Sequence, residues 1–535
     1  MAIKSLTRYL SKKSTPQSQP IPGREREQVR NDAGGYVFPV TDWTRLDRFL
    51  ILGSENGTYY ASEQRLTREN AAAVQRCIAA DGIRTVRRIV EVSDAGCAPR
   101  NDPAIFALAM AAKLGDEPAR RAALEALPRV CRTGTHLFAF AEAVEAFGGW
   151  GRGTRRAVAA WYNRTPTEVA HQVVKYAQRN GWTHHDLLRL THATPATAEH
   201  AALFAYAVKG TRDAVEPRYA YAGMLAAVAE LATTTDVKAA AALIADHRLP
   251  REVVPTELLT SPLVWEALLR EMPLTAMVRN LATMTRVGLI APGSEASRRV
   301  VAMLGDGERL RKARLHPIAV LMALRTYASG RGLRGKGTWQ PVQQVVDALD
   351  GAFYASFGAV EPSGKRLVLA LDVSGSMAIG HVGGVVGLSP REAAAALALV
   401  TAATERDYTI VAFADKMVPV GISPRQRLGD AVKAVSGLPF GGTDCALPML
   451  WALEKGVKAD AFVVLTDSET WFGQIHPVQA LQQYRQRTGI KAKLVVTAMT
   501  STGYSIADPN DGGMLDIVGM DAATPALIAD FARGG

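Results

Sequence analysis

Residues 366–377 read Arg366-Leu-Val-Leu-Ala-Leu-Asp372-Val-Ser374-Gly-Ser376-Met377. Five apolar residues in a row, bounded by polar ones, make a short segment with no polar face. Such a run suits a strand covered on both sides. Three more runs share the texture: Tyr408 to Phe413, Ala461 to Thr466 and Lys493 to Ala498. Helical stretches separate them, at Arg391 to Thr404, Gln426 to Val435, Ala446 to Lys455 and Pro477 to Arg487. Strands alternating with helices predict a doubly wound parallel sheet over residues 363–535. In such sheets ligands collect at the carboxyl ends of strands, where Asp372 falls.

The chemistry at that edge is all oxygen. Asp372, Ser374 and Ser376 leave the first strand at alternate positions, and oxygen ligands suit a hard cation such as Mg²⁺. A loop, Gly441-Gly442-Thr443-Asp444, follows an intervening helix, and a later strand ends in Leu465-Thr466-Asp467-Ser468-Glu469. The order D-x-S-x-S, loop Thr, strand-end Asp resembles the metal-ion-dependent adhesion site of von Willebrand factor A domains. The resemblance implies that Asp372, Ser374, Ser376, Thr443 and Asp467 hold a divalent cation, Mg²⁺ by preference, some through water. It also implies an open coordination position for an acidic group on a partner; a purely structural or empty site is the competing reading. Catalytic motifs are missing. Ser374 replaces the second Asp of a phosphatase-type D-x-D, and no G-x-S-x-G, H-E-x-x-H or G-x-x-x-x-G-K-[ST] occurs. No enzyme is expected, and no catalytic residue is assigned. Gly380 to Gly387 lacks G-x-G-x-x-G spacing and reads as a flexible rim.

Upstream the texture is different. From Ser62 to Leu349 apolar residues recur at spacings of three and four. Asn101-Asp102-Pro103, Thr165-Pro166-Thr167-Glu168 and Thr194-Pro195 read as helix starts, and Asn180-Gly181 as a helix stop. Helices of 10–16 residues on short connections predict an α-solenoid of HEAT-like type with degenerate repeats. Arg331 to Trp339 reads as a connector. Residues 1–32 are polar, basic and proline-bearing, and predict a flexible tail. The aromatics between Gly34 and Tyr60 read as core anchors more readily than as base-stacking platforms.

The chain has 535 residues, 48% hydrophobic and 21% charged, which excludes disordered and collagen-like classes for most of it. Cys77, Cys97, Cys131 and Cys445 are far apart, so neither a zinc ribbon nor a disulfide framework is expected, and a reducing cytoplasm fits. No apolar run approaches the roughly 20 residues of a membrane span, and Met1 to Lys13 has no signal-peptide core. The net charge of +11 is uneven: residues 363–535 carry 15 Lys/Arg against 16 Asp/Glu, residues 1–362 carry 47 against 35. That asymmetry points to a polyanion on the helical part, or to a solvated basic surface.

Within it, residues 151–192 hold seven Lys/Arg, two acids and four histidines. Arg152, Arg155 and Arg156 share a helical face, and His171, Lys175 and Arg179 are spaced by fours. Trp150, Trp161, Tyr162, Tyr176 and Trp182 are interleaved. Cations satisfy phosphates and aromatics stack on unpaired bases, but Trp161 and Trp182 read more readily as core. His184 and His185 lack a third metal ligand nearby and open a helix, where they could touch phosphate.

Several segments together resemble the Ro autoantigen family, ribonucleoprotein proteins with a TROVE module followed by a von Willebrand A domain. They include Gly34-Gly35-Tyr36-Val37, Arg48-Phe49-Leu50, Gly57-Thr58-Tyr59-Tyr60, Cys131-Arg-Thr-Gly-Thr-His136, Trp161-Tyr162-Asn163 and Gln178-Arg-Asn-Gly-Trp182. Asp186-Leu-Leu-Arg-Leu190, Glu271-Met-Pro-Leu-Thr275, Arg279-Asn280-Leu281, Gly332-Leu-Arg-Gly-Lys336, Gly441-Gly-Thr-Asp-Cys445 and Ile506-Ala-Asp-Pro509 follow in the same order. The resemblance implies a mainly α ring over residues 33–362 closed by an A domain over 363–535. It implies a small noncoding Y RNA on the outer surface, single-stranded ends of misfolded or immature structured RNAs in the hole, and an exoribonuclease partner. The RNA-binding residues expected are Arg152, Arg155, Arg156, Lys175, Arg179, His184 and Arg189. The alternative is a protein-interaction scaffold that captures an acidic partner group through the metal site.

Overall fold

A computed structural model describes residues 14–534 except 55–57, 59–60, 314, 333–336, 358–360, 381, 383–387, 419, 424–425, 439–440 and 521–522. Most of the glycine-rich rim at 380–387, and parts of the matched segments at 57–60 and 332–336, lie outside the described residues. In chain order the first elements are β1 (Val29–Arg30), β2 (Tyr36–Pro39), α1 (Asp42–Leu52), α2 (Glu63–Ala95), α3 (Asp102–Leu114), α4 (Glu117–Glu125), α5 (Leu127–Val130), α6 (Gly134–Ala146), α7 (Arg152–Tyr162) and α8 (Pro166–Lys175). Then come β3 (Gln178–Arg179), β4 (Trp182–Thr183), α9 (His184–Thr191), α10 (Ala198–Lys209), α11 (Ala222–Leu231), α12 (Val237–His247), α13 (Pro262–Glu271), α14 (Leu274–Arg286), α15 (Glu295–Gly305), α16 (Gly307–Lys312), α17 (Pro317–Ala328) and α18 (Gln343–Ala355). The remainder is β5 (Arg366–Asp372), α19 (Pro390–Thr404), β6 (Asp407–Phe413), β7 (Met417–Val418), α20 (Leu428–Ser436), α21 (Leu447–Lys455), β8 (Ala461–Thr466), α22 (Pro477–Thr488), β9 (Lys493–Ala498), β10 (Tyr504–Ser505), β11 (Met514–Val518) and α23 (Thr524–Arg533).

The last third is the expected sheet. Its order is β11-β9-β8-β5-β6-β7, parallel except for the antiparallel edge strand β7. Every residue of β8, and every residue of β5 after Arg366, is buried. α19 is also buried along almost its whole length, which its Ala-rich sequence permits. It starts at a capping box, with Ser389 and Glu392 satisfying each other's backbone N–H and Pro390 at the first turn.

The helical array packs element on successive element, and both ends rest on the A domain. At the first end Arg48 of α1 is fully buried. It donates to both carboxylate oxygens of Asp516 on β11, at 2.8 and 2.7 Å, and to the carbonyls of Thr502 and Tyr504, at 2.7 and 2.8 Å. Asn70 of α2 donates to the Ser501 hydroxyl at 3.0 Å, which donates to the Gly53 carbonyl at 2.6 Å. At the last end Arg325 of α17 donates to Glu392 at 2.8 Å, and Arg427 pairs with Asp347 of α18 at 2.8 Å. His316, which caps α17, also bonds the carbonyl of Cys97 just past α2 at 3.0 Å, so the array meets itself. The result is a ring of helices closed by the A domain.

Several local expectations change. Residues 14–32 are not a free tail but lie against the A domain. β1 pairs with β2, and β2 with β10, in a three-stranded antiparallel sheet. The Gln17 side chain is wholly buried and Ile21 joins the A-domain core, so this polar segment is ordered by long-range contacts. Asn180-Gly181 does not end a helix. With φ of 54° and 76° it is the two-residue turn of the hairpin β3–β4, where Asn-Gly supplies the left-handed backbone such turns demand. Thr165 and Asn101 precede their helices without side-chain caps. Asn101 instead accepts from Ser93 and donates to the Val130 carbonyl.

Candidate metal and nucleic-acid sites

Asp372 ends β5, and its two oxygens are already directed. Oδ1 accepts from the Ser374 backbone N–H at 2.9 Å and Oδ2 from the Thr466 hydroxyl at 2.6 Å. The Ser374 and Ser376 hydroxyls lie 3.2 Å apart. Asp467, one residue past β8, accepts from the Glu469 N–H at 3.1 Å and is hydrogen-bonded by Ser376. Asp372, Ser374, Ser376, Thr443 and Asp467 are all buried. Burial pushes both carboxyls above the ordinary Asp range, and the charge of Asp372 raises Asp467 further. Two buried like-charged carboxylates with the Ser374 and Ser376 hydroxyls beside them form a donor set that fits a hard divalent cation, which would offset their repulsion. Ser376 and Asp467 line a cavity of about 20 Å³, room for about one water-sized occupant. Its far wall is Leu52, Gly53, Ser54, Thr58 and Leu66 of the helical part.

Arg391 was not among the residues singled out from sequence. Nearly fully buried on α19, it donates to the carbonyls of Val373 and Ser374, the latter at 3.0 Å, and so fixes the backbone of the D-x-S-x-S loop from behind. An Arg two residues after a helix cap gives no local sign of this. At the rim the side chains turn apolar. Trp471 and Phe472 are more than a third exposed, pack edge to face at 5.6 Å, and donate their backbone N–H groups to the Thr443 carbonyl at 3.0 and 3.1 Å.

The expected RNA residues divide. Arg152, Arg156, Arg179 and Arg189 are exposed, and Arg155 and Lys175 half-buried. None of the six forms an ion pair with a carboxylate among the described residues, whereas Arg65, Arg76 and Arg88 of α2 are all paired. Lys175 and His171 do share a face of α8 and line a cavity of about 630 Å³ reaching to α14. Arg179 leaves that stripe: it is on β3, opposite Trp182. His184 is a correction. It is buried at the start of α9, bonded to the Tyr162 hydroxyl at 2.7 Å and packed on Phe138, so it faces no phosphate. Burial pushes it down to about 4 and keeps it neutral. Trp161 and Tyr162 are core, while Trp182 is half-buried against Trp150 at 5.9 Å. Among the described residues no group of three or more His, Cys, Asp or Glu is placed to hold a metal ion, His184 and His185 included.

The comparisons agree with this architecture. Residues 29–242 and 247–326 match the TROVE domain, and residues 366–532 match the Ro60 vWA domain. The chain belongs to the TROVE and Ro60 vWA family. It is 43% identical over 538 residues to RNA-binding protein RO60 of Deinococcus radiodurans, covering 99% of this chain and 100% of that one. It is 37% identical over 587 residues to RNA-binding protein RO60 of Caenorhabditis elegans, covering 95% and 90%. The crystal structure of the Deinococcus radiodurans RO (RSR) protein superposes with a TM-score of 0.70 at 42% identity, over 92% of this chain and 100% of that one. The helical part and the A domain are thus both accounted for by one family.

Proposed function

We propose that this chain is a non-catalytic RNA-binding ribonucleoprotein component. Its outer basic face takes a small noncoding Y RNA, and the hole of its ring takes single-stranded ends of misfolded or immature structured RNAs. It serves RNA quality control, maturation or decay beside an exoribonuclease, in the cytoplasm, where its four cysteines, none of them in a disulfide, remain thiols. The observation that carries RNA binding is the set of six cations on α7, α8, the hairpin and α9 with no carboxylate partner among the described residues: charge left free by the protein is available to phosphates. The relatives' names, RNA-binding protein RO60, support the same reading. The test is one stem-loop RNA with and without a single-stranded 3′ tail, titrated at several salt concentrations. Tight binding only with the tail, with about 0.7–0.9 of log–log slope for each phosphate contact, is expected. A flat salt response overturns it.

The A domain adds a second binding function to the same molecule. Asp372, Ser374, Ser376, Thr443 and Asp467 would hold Mg²⁺, and the ion would supply an electrophilic position for a partner's carboxylate. The exposed Trp471 and Phe472 at the rim favour a protein partner there. Mn²⁺ binding lost in Asp467→Ala checks the ligand set; binding unchanged by that substitution refutes it.

A further inference from the structure

The two loops that carry Thr443 and Asp467 are tied to each other by residues from the far N-terminus. Gln17 is wholly buried between them. Its Nε2 donates to Asp444 Oδ1 at 2.7 Å and to the Ile475 carbonyl at 2.8 Å, and its Oε1 accepts from the Thr470 hydroxyl. Thr470 in turn accepts from the Cys445 N–H at 3.0 Å. The Gln17 backbone donates to the Gly473 carbonyl at 2.9 Å and accepts from the Tyr36 N–H at 2.8 Å. Asn31 completes the tie. Its Nδ2 donates to the carbonyls of Ser468 and Thr470, at 3.1 and 2.9 Å, and its Oδ1 accepts from the Gly35 N–H at 2.7 Å. The fit is close. A Cβ on Gly473 would fall 2.4 Å from the side chains of both Asp444 and Gln17, and one on Gly35 would fall 1.8 Å from the Thr470 carbonyl.

Apart from the bonds to Tyr36 and Gly35, which stay within the N-terminal segment, every one of these bonds ends on a residue one to eight positions from a metal-loop ligand, and neither amide reaches the ligands themselves. We propose that Gln17 and Asn31 are positioning residues of the A-domain metal site: the N-terminal segment holds the Thr443 loop and the Asp467 loop at the separation one cation needs. This rests on reading those loops as a divalent-cation site. The physical argument is that of any outer shell. Thr and Ser are weak ligands, so affinity depends on their being held in place before the ion arrives. It also gives the helical half a stake in the A domain, because the segment continues directly into β2 and α1.

The experiment titrates Mn²⁺, followed by its EPR signal, into the full-length chain, its Gln17→Ala, Asn31→Ala and Arg24→Ala variants, and Asp467→Ala. Arg24 holds the same segment through Asp508 at 2.9 Å, away from the metal loops. Gln17→Ala and Asn31→Ala are each expected to weaken Mn²⁺ binding about 10–100-fold in protein shown folded by circular dichroism, with tailed-RNA affinity unchanged. Arg24→Ala is expected to leave Mn²⁺ affinity alone. A purely structural role would lower the melting temperature of all three variants and leave the dissociation constant of the folded fraction where it was. That result overturns the proposal. If Gln17→Ala does not fold, Asn31→Ala decides on the same terms. If wild-type binding survives Asp467→Ala, the metal reading itself falls and the proposal with it.

Discussion

Replacing Arg48 by Met should loosen the junction between the helical ring and the A domain. Met keeps most of the volume and none of the donors. The substitution removes two charge-assisted bonds to Asp516 and two bonds to the carbonyls of Thr502 and Tyr504. Breaking a buried ion pair from one side costs about 3–5 kcal/mol, because the other charge stays behind. Asp516 keeps the Ser505 hydroxyl at 2.6 Å and is 13% exposed, so part of its solvation returns. That places the expected cost near the lower bound, about 3 kcal/mol. A double-mutant cycle isolates the pair: Arg48→Met, Asp516→Asn and the double variant, compared by urea unfolding with separate probes on the ring and the A domain, since two units need not unfold together. The double variant should cost at least about 1.5 kcal/mol less than the sum of the singles. A single-variant cost below about 1 kcal/mol, or strict additivity, would refute the reasoning, since a surface-like pair contributes no more than that. The variant bears on function as well. α1 and α2 wall the cavity beside Ser376 and Asp467, so a loosened junction should also speed metal exchange there.

Arg155→Ala combined with Arg156→Ala should weaken RNA binding for all sequences and lower the log–log salt slope by about 1.4–1.8, two phosphate contacts' worth; an unaltered slope moves the RNA elsewhere on the ring. His184 provides a pH test. Its folded-state pKa of about 4 is below the ordinary 6.5, so the neutral form is the one the fold accepts. Its contribution is therefore complete above pH 6.5 and is lost as pH falls toward 4, up to about 3 kcal/mol for a shift of that size. His184→Gln should flatten the fall in melting temperature across that window relative to wild type; parallel curves would refute it.

What the sequence made legible is what short-range physics writes into it. β8 and β9 have the bounds their apolar runs indicate, since a strand buried on both faces has no choice but continuous apolarity. The D-x-S-x-S loop was legible for a similar reason: its carboxylate and two hydroxyls leave one strand end within five residues. β11 was not, because Asp516 interrupts Met514-Leu-Asp-Ile-Val518, and that Asp makes sense only once Arg48, 468 residues away, is seen beside it. The hairpin at Arg179 was missed because strands of two residues carry no period, and His184 because its burial depends on Tyr162 and Phe138 from other helices. The N-terminal segment is the extreme case. Gln17 and Asn31 look like solvated tail residues, and their partners are 427 to 458 positions on. Apart from the hairpin, each of these misses is a polar side chain matched across the fold, and such matches join the ring to the A domain and the A domain's loops to one another. Apolar patterning thus specifies the two halves separately, while buried polar pairs specify how the halves meet. For that reason substitutions at Arg48, Gln17 and Asn31, rather than in either core, are the ones that should separate ring assembly from metal binding.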